Sequence, residues 1–259
     1  MSSKLIVKTA YANIYSEPKF SSQLVTQALF SEVLDIISSK GDWFEVSQWD
    51  GYVGYTHRFY LSDNVPNQEN KFLVTDRFIS LYDSSDFDNL MMLAPFGADI
   101  PVISNDKYHM TESINNENYF FMNNTSLVEN NSRNKILEHS KNLIGSPYLW
   151  GGKTPFGYDC SGFVQQVFKS INISLQRDTS EQIKDKRMNS VDIESADIGD
   201  IIFFDMEGNG VDHVGIWYGE GQVIHCGGEV KIQSIDDDSH KRLRDCILDV
   251  KSIGKLLDE

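Results

Sequence analysis

Cysteine is scarce in this chain of 259 residues, in which only Cys160, Cys226 and Cys246 occur. A low, odd number of cysteines does not form a disulfide framework, which predicts a reducing compartment. The N-terminal segment has only three consecutive apolar residues, Leu5 to Val7, too few for the apolar core of a signal peptide. No stretch approaches the roughly 18 apolar residues of a membrane span. These absences predict a cytoplasmic protein.

Positive charge is also in short supply, with 23 Lys and Arg against 38 Asp and Glu and a formal net charge of −15. Nucleic-acid phosphates are bound by clustered Lys and Arg, and the sequence contains no such cluster. The same shortage disfavours docking on an anionic membrane surface. We therefore expect neither a nucleic-acid partner nor a membrane partner.

A weak internal repeat occupies the first half of the chain. The segment IVKTAYANIYS from Ile6 aligns with LVTDRFISLYD from Leu73, and LVTQALFSEVLDIIS aligns with LMMLAPFGADIPVIS. Short runs of β-branched and aromatic residues with turn residues between them are typical of strands. Two copies are too few for a solenoid. The repeat therefore predicts two small β-barrels, residues 1–63 and 71–128, with a linker between them.

The pattern changes after residue 131, where helices are predicted first and strands afterwards. Apolar residues share one helical stripe over 132–144, which Gly145 would end, and a second helix begins near Cys160. A tight hairpin turn is predicted at 219–221. Strand-like runs occupy residues 200–205, 211–218 and 222–226. Helices followed by an antiparallel sheet indicate an α+β domain over residues 132–259.

Cys160 stands where the second helix begins, and this position can make a thiol reactive. Unpaired backbone N–H groups and the helix dipole favour the thiolate, and the same N–H groups can hold an oxyanion. For Cys160 taken alone, the alternative is a buried structural cysteine that opens a core helix. Cys226 and Cys246 are expected to be core thiols of this kind.

Two histidines lie inside apolar strand-like runs, His213 in VDHVGIW and His225 in VIHC. A polar residue in such a run is expected to work chemically or to be hydrogen-bonded. With the hairpin centred near Glu220, position 213 faces position 227, so the two histidines share one face unless a bulge intervenes. One imidazole can then act as a base while the other orients it. The alternative is a pair of hydrogen-bonded core histidines.

The second half of the chain closely resembles the NlpC-type papain-like cysteine peptidases over about residues 132–251. The family's motifs occur in order as PYLWGG, DCSGF, RDTSEQ, GDIIFF, DHVGIW and VIHCGG. The first repeat copy resembles bacterial SH3 domains through NIYSEP, GDWFEV and DGYVGY. Together these resemblances imply a papain-like catalytic domain preceded by two SH3-like β-barrels.

The resemblance implies a Cys160-His213-His225 triad, with the Tyr148 hydroxyl and the Cys160 N–H as oxyanion-hole donors. It implies acyl transfer to water without a metal or cofactor. A zinc site formed by Cys160, His213, His225 and Cys226 is an alternative by ligand type, although the spacing matches no zinc-finger pattern.

The presence of an SH3 domain on the same chain narrows the resemblance within the peptidase family. The chain is similar to the branch of the family that cleaves γ-D-glutamyl-L-diamino acid bonds in recycled murein peptides. The substrate implied is L-Ala-γ-D-Glu-diamino acid with a free N-terminal L-Ala. Glu17 or Glu32 would meet the substrate ammonium. The further substrate contacts implied are Asp159, Ser161, Thr179, Trp150 and Tyr52.

Several of these contacts have structural alternatives. Asp159 can simply cap the Cys160 helix, Thr179 with Gln182 fits a capping box, and Tyr148 and Trp150 can serve in aromatic packing. For the whole protein, one alternative is a cell-wall peptide binding protein with an inactive enzyme domain. Another is an amidase or acyltransferase on the same fold. The complete set of catalytic residues disfavours the first, and the lack of an apolar or basic membrane-facing segment disfavours a lipid substrate.

Overall fold

The computed structural model describes residues 4–104, 107–111, 113–114, 116–122, 132–237 and 242–257. The chain divides into two compact units: unit 1 holds residues 1–127 with 153–155, and unit 2 holds 128–152 with 156–259. The predicted domain ends at Met1, Val128 and Glu259 lie outside the described residues. Among the described helices, none has the length and apolar character that a membrane crossing needs.

The first sheet of unit 1 is antiparallel and has seven strands. They are β1 (Lys4–Val7), β2 (Tyr11–Tyr15), β3 (Leu24–Leu29), β4 (Val33–Lys40), β5 (Trp43–Ser47), β6 (Val53–His57) and β7 (Leu61–Ser62). Their order across the sheet is β3-β2-β6-β5-β4-β1-β7.

The second sheet of unit 1 repeats this arrangement with six strands. They are β8 (Lys71–Leu73), β9 (Phe78–Tyr82), β10 (Leu90–Pro95), β11 (Asp99–Ser104), β12 (Tyr108–Thr111) and β13 (Phe120–Met122). The order β10-β9-β13-β12-β11-β8 matches the first six strands of the first sheet, position by position. The internal repeat predicted from the sequence is therefore confirmed as a repeat of strand order.

Alternating burial along the strands explains how such short runs build this unit. In β2 and in β9, buried residues alternate with half-buried ones, as expected for strands with one face in a core. Ile6 and Leu29 from the first sheet, with Phe30 directly after β3, pack in one cluster with Val74 and Leu81 from the second copy. The two small sheets thus share a core, which increases the apolar area that each of them buries.

Unit 1 also includes a short later segment, residues 153–155, which carries β14 (Lys153–Thr154). The Lys153 side chain is fully buried, with its Nζ 3.9 Å from Asp50 Oδ2 and 5.6 Å from the centre of the Trp49 ring. The Lys153 N–H donates to Gln27 Oε1 at 2.9 Å. A buried ammonium is costly without such partners. The sequence pattern did not predict that this segment belongs to unit 1.

Unit 2 combines helices with one antiparallel sheet, in agreement with the α+β prediction. Its elements are α1 (Arg133–Asn142), β15 (Gly157–Tyr158), α2 (Cys160–Lys169), α3 (Thr179–Gln182), β16 (Asn189–Ser190), β17 (Ile201–Phe204), β18 (His213–Gly219), β19 (Gln222–Gly227), β20 (Glu229–Ser234), β21 (Ile247–Ser252) and α4 (Gly254–Leu257). The sheet order is β16-β21-β17-β18-β19-β20. The three predicted strands are β17, β18 and β19, which lie side by side.

The core of unit 2 lies between α2 and the sheet. Residues 160–168 of α2 are all buried, β17 is buried along its whole length, and α2 packs against β18 and β19. The helix α1 ends at Asn142, so Ile144 is not on its buried stripe and is 41% exposed. The chain turns away at Gly145, which has a φ of +82° and donates its N–H to the Val230 carbonyl.

Candidate active site

Cys160 is the first residue of α2, and the residue before it caps the helix. Oδ1 of Asp159 accepts the N–H of Gly162 at 2.7 Å. Gly162 allows a close approach of two backbones, because a Cβ there would lie 2.2 Å from the Gly152 carbonyl oxygen. Cys160 itself is 7% exposed. The sequence DCSG thus places a buried thiol at a helix start, beside the segment that ends at Gly152.

Three groups contact the Cys160 sulfur. The N–H groups of Ser161 and Val214 donate to it, and the Thr179 hydroxyl oxygen lies 3.9 Å from Sγ. All three favour the thiolate, but burial and then the Asp159 carboxylate outweigh them and raise the pKa of Cys160 to about 11. The N–H of Ser161 at the helix start thus favours the thiolate, as expected, although the net effect of all these groups is a raised pKa of Cys160. The thiol is neutral at pH 7.

His213, His225 and Gln233 form a series of hydrogen-bonded side chains. The series begins at His213, the residue before Val214, whose N–H donates to the Cys160 sulfur. The distance from His213 Nε2 to His225 Nδ1 is 2.7 Å, and the distance from His225 Nε2 to Gln233 Oε1 is 3.2 Å. An amide oxygen only accepts, so His225 carries its proton on Nε2 and accepts from His213 Nε2 through Nδ1. Nδ1 of His213 is then left as a proton acceptor.

The pairing of β18 with β19 explains why these two imidazoles meet. Gly215 faces His225 and Trp217 faces Val223, a register that places position 227 opposite His213. A register shift does occur between Trp217 and Gly219, but it lies near the turn and leaves this pairing intact. The prediction that the two histidines share one face is confirmed, and their ring centroids are 5.0 Å apart.

Both imidazoles are neutral at pH 7. Burial, followed by the neighbouring His225, lowers the pKa of His213 to about 3. Burial lowers the pKa of His225 to about 4, against the opposing effect of its bond to Gln233. A neutral imidazole with Nδ1 available can accept a proton from a neutral thiol when a substrate is attacked. The Cys160 thiol and the His213 imidazole are thus both neutral at pH 7.

The segment PYLWGG contributes two aromatic side chains. The N–H of Tyr148 donates to the Gly228 carbonyl at 2.7 Å. Burial, followed by the charge that Cys160 can carry, raises the pKa of Tyr148 to about 12. The phenol therefore keeps its proton and can donate to an oxyanion. Trp150 is 60% exposed, so the packing alternative for its ring is wrong.

Asp159 and Ser161, both expected to contact substrate, are bonded to another residue of unit 2. Arg177 donates to both carboxylate oxygens of Asp159, and its Nη1 also donates to the Ser161 hydroxyl at 2.8 Å. The capping alternative for Asp159 is confirmed by its bond to the N–H of Gly162. A role of these two residues in substrate binding stays a prediction.

The capping box expected for Thr179 and Gln182 is wrong. Asp178 precedes the first residue of α3, and its side chain does not cap the helix. The Gln182 side chain is buried and donates to the carbonyls of Ser161 at 3.1 Å and Gln176 at 2.8 Å. Gln182 therefore bonds to the distant Ser161 carbonyl rather than to the start of its own helix. The Thr179 hydroxyl lies near the Cys160 thiol instead of capping α3.

The candidate residues of unit 1 have partners within that unit. Tyr52 is half-buried and precedes β6. Glu32 accepts from a backbone N–H at 3.0 Å and from the Gln48 side chain at 2.7 Å. Glu17 is exposed and pairs with Lys19 at 2.8 Å. A contact of Tyr52, Glu17 or Glu32 with substrate stays a prediction.

Two residues of the site, Arg177 and Gln233, were not identified from the sequence. The pairing of β19 with β20 places Lys231 opposite His225, so Gln233 shares that face two residues later. Alternation along a third strand could have found it. Arg177 offered no such signal, because its partner is distant in sequence. Within the described ranges, no three or more His, Cys, Asp and Glu side chains are grouped to hold a metal ion.

A buried thiol at a helix start, beside an imidazole chain on an antiparallel sheet, defines a papain-like cysteine peptidase site. Residues 145–246 match the model of the NlpC/P60 family, and residues 14–58 match that of the bacterial dipeptidyl-peptidase Sh3 domain. The chain therefore contains an NlpC/P60 cysteine peptidase domain with a bacterial SH3 domain before it.

Two curated relatives and one solved structure are similar to most of the chain. The chain is 28% identical over 214 residues to a gamma-D-glutamyl-L-lysine dipeptidyl-peptidase of Bacillus subtilis (strain 168), covering 77% of this chain and 71% of the relative. It is 23% identical over 274 aligned positions to dipeptidyl-peptidase 6 of Lysinibacillus sphaericus, covering 97% of this chain and 98% of the relative. A crystal structure of an NlpC/P60 family protein from Bacillus cereus shares the fold, with a TM-score of 0.83 and 22% sequence identity. The match covers 96% of this chain and 98% of that structure's chain.

Proposed function

We propose that this chain hydrolyses the bond between γ-D-Glu and an L-diamino acid in cell-wall peptides. The observation that carries the proposal is the place of Cys160 as the first residue of α2, where its sulfur accepts the N–H of Val214, the residue after His213. A relative named gamma-D-glutamyl-L-lysine dipeptidyl-peptidase suggests the substrate class. Cys160 is the proposed nucleophile, His213 the base and His225 the group that orients it.

In the acylation half-reaction, Nδ1 of His213 takes the thiol proton while the Cys160 sulfur attacks the γ-carbonyl carbon. A C–S bond forms, and the carbonyl electron pair moves to the oxygen. The Cys160 N–H and the Tyr148 hydroxyl donate to this oxyanion. The C–N bond then breaks as the carbonyl re-forms, and His213 gives its proton to the leaving amine. The bond to His225 keeps His213 in the required tautomer.

In the deacylation half-reaction, water gives a proton to His213 while its oxygen attacks the thioester carbon. The C–S bond breaks, and the thiolate recovers a proton from His213. The products are a peptide ending in the γ-carboxyl group of D-Glu and the free diamino acid. Burial disfavours an isolated charge. In this mechanism neither Cys160 nor His213 has to carry such a charge in the resting enzyme.

We further propose that the substrate has a free N-terminal L-Ala, as a peptide released during murein recycling would have. An ammonium bound in a cleft needs charged or polar partners. We propose Asp159, Tyr52 and one of Glu17 or Glu32 as these partners. The three free cysteines agree with a reducing, cytoplasmic compartment.

In unit 1, we propose that both sheets close as SH3-like barrels, because the second repeats the strand order of the first. The proposed domain ranges are 1–63, 71–128 and 132–259. Residues 153–155 are an exception, since they belong to unit 1.

The test compares kcat/KM for L-Ala-γ-D-Glu-diaminopimelate with a free and with an acetylated N-terminus. Acetylation removes the charge and adds bulk, so we expect a loss of about 3 kcal/mol, roughly a hundredfold or more. Asp159→Asn, which removes a proposed partner and still caps α2, should shrink this difference. Asp192→Asn should leave it unchanged, because it removes an exposed carboxylate at another helix start. Equal kcat/KM for the two peptides would refute the free-amine proposal but not the Cys160 chemistry.

A further inference from the structure

A lysine of β20 lies on the same face of the sheet as the two imidazoles. In the pairing of β19 with β20, Lys231 is the direct partner of His225, and directly opposite residues of an antiparallel pair point to the same side. Gln233, two residues further along β20, bonds the His225 ring at 3.2 Å and so confirms which side this is. The Lys231 side chain therefore shares the face on which His213 and His225 meet.

The charge of Lys231 acts on both imidazoles. Burial and the neighbouring His225 are the larger causes that lower the pKa of His213, and Lys231 is the next. Burial also lowers the pKa of His225, and Lys231 adds to this lowering while the bond to Gln233 opposes it. A cation beside a base makes the protonated base less favourable. The ammonium is therefore near enough to both rings to influence proton transfer there.

Lys231 differs from other cations of unit 2 in having no anion beside it. Arg177 pairs with Asp159, and Lys251 on β21 pairs with Asp249 at 2.9 Å. Lys231 is half-buried, and within the described ranges no carboxylate forms an ion pair with it. A partly desolvated ammonium gains from an anionic partner. This face of the sheet thus offers a free positive charge next to the reactive groups.

The proposed substrate brings carboxylates to this place. In the proposed mechanism His213 gives its proton to the amine of the leaving diamino acid. The α-carboxylate of that residue is attached to the carbon next to this amine, and diaminopimelate carries a second carboxylate at the far end of its side chain. The chain has a formal net charge of −15, so an anionic group needs a local cation to approach it. An ammonium is a compact point charge that pairs with a carboxylate.

We propose that Lys231 binds a carboxylate of the leaving diamino acid and makes this end of the site selective for an anionic group. The proposal rests on the proposed function, because it requires a diamino acid to leave next to His213. The α-carboxylate is the source that we favour, since diaminopimelate and L-Lys both have it. Pairing with it also offsets the charge that opposes protonation of His213, so the bound substrate helps this base to accept the thiol proton.

The first test compares kcat/KM for L-Ala-γ-D-Glu-L-Lys with kcat/KM for the same peptide carrying a C-terminal amide. We expect the amide to be cleaved at least about tenfold less efficiently by the wild type, because it lacks the charge-assisted contact. Lys231→Met keeps an apolar stem and removes the charge, so the difference should shrink to about twofold or less. Lys251→Met is the matched control, since it removes one charge from β21 of the same sheet. It should keep the wild-type ratio.

A third peptide distinguishes the two sources of the carboxylate. L-Ala-γ-D-Glu-diaminopimelate with its α-carboxyl group amidated keeps only the carboxylate at the far end of the side chain. Slow cleavage, as for the L-Lys amide, shows that Lys231 binds the α-carboxylate. Cleavage as efficient as for the free L-Lys peptide, and lost in Lys231→Met, shows that it binds the far one.

A measurement without any peptide separates this proposal from the proposed function. Iodoacetate and iodoacetamide react at the same kind of carbon, but only iodoacetate carries a carboxylate. The ratio of their rates at Cys160 cancels any change in the thiol itself. We expect this ratio to fall at least about threefold in Lys231→Met and to stay unchanged in Lys251→Met. Peptide mass mapping identifies Cys160, and thermal unfolding shows whether each variant is folded.

The proposal is overturned if Lys231→Met keeps the wild-type ratio of free-acid to amide cleavage for both diamino acids. It is also overturned if Lys251→Met changes the ratios as much as Lys231→Met does, because the effect would then be one of total charge. If the wild type cleaves no γ-D-glutamyl peptide, the proposed function fails. The ratio of the two alkylation rates then decides by itself whether Lys231 attracts a carboxylate to this site.

Discussion

The first turn of α2 and the strands β18 to β20 hold their reactive side chains by different interactions. Around Cys160 the polar contacts centre on a buried ion pair that includes Asp159. Around His213 they form a chain of neutral groups, His225 and Gln233. A bidentate ion pair fixes the position of backbone and side chains, whereas a neutral chain fixes which ring nitrogen carries the proton.

The two regions nevertheless lead to the same resting state. Burial and the Asp159 charge raise the pKa of Cys160 to about 11, and burial lowers the pKa of His213 to about 3. Each reactive group is thereby kept in its neutral form. The comparison teaches that a helix start does not by itself create a thiolate, because the cap and the burial that come with it act in the opposite direction.

The largest effect is expected from removing the sulfur. Cys160→Ala should lower kcat/KM by at least about 10⁴-fold, since it removes the proposed nucleophile. The free energy of unfolding should stay within about 1 kcal/mol of the wild type, because the change is small and lies at a helix start. Steady-state kinetics and urea denaturation measure the two quantities. Retention of wild-type activity would remove Cys160 from the mechanism.

The next effect separates the two histidines. His213→Ala should approach the loss seen for Cys160→Ala, because it removes the proposed base. His225→Ala should lower kcat/KM by about 10²-fold, since the proposed base remains and loses only the group proposed to orient it. The same kinetic assay compares the two variants. A larger loss for His225→Ala would show that the two roles are assigned in reverse.

The pH dependence of alkylation tests whether the Cys160 thiol and the His213 imidazole are neutral at pH 7. Only the thiolate reacts, and with a pKa of about 11 its fraction rises with pH. Alkylation of Cys160 by iodoacetamide should therefore speed up about tenfold per pH unit between about pH 7 and 9. The kcat/KM value should show no acid limb down to about pH 5, because the pKa of His213 is about 3. A pH-independent alkylation rate would indicate a preformed ion pair instead.

The smallest effect is expected at the end of the neutral chain. Gln233→Met removes the acceptor that holds the proton of His225 on Nε2, so the population of the productive His213 tautomer should fall. We expect kcat to drop by less than about tenfold, with KM unchanged. Gln222→Met, on the same strand pair near the turn, is the control. A loss as large as that of His225→Ala would show that the tautomer matters more than the orientation of the ring.

Residues close in sequence were the easier ones to predict. The helix starting at Cys160, the three adjacent strands and the shared face of His213 and His225 all follow from local periodicity and one short turn. The repeat in unit 1 was visible because its two copies align in sequence, and the structure shows the same strand order in both. In each case the distance along the chain between the partners is short or the pattern is duplicated.

Contacts between distant residues were missed for a physical reason. Whether Asp159 binds substrate or an arginine depends on where Arg177 arrives in space, and no local pattern encodes that. The same holds for Lys153, which is buried in unit 1 although its neighbours along the chain belong to unit 2. The pKa of Cys160 depends on burial, which the sequence alone does not give.

The most direct test of the central claim is a mass analysis of the products from L-Ala-γ-D-Glu-diaminopimelate. The wild type should release L-Ala-D-Glu and free diaminopimelate, while Cys160→Ala should leave the tripeptide intact. Cleavage between L-Ala and D-Glu, or the same two products from Cys160→Ala at the wild-type rate, would contradict the account.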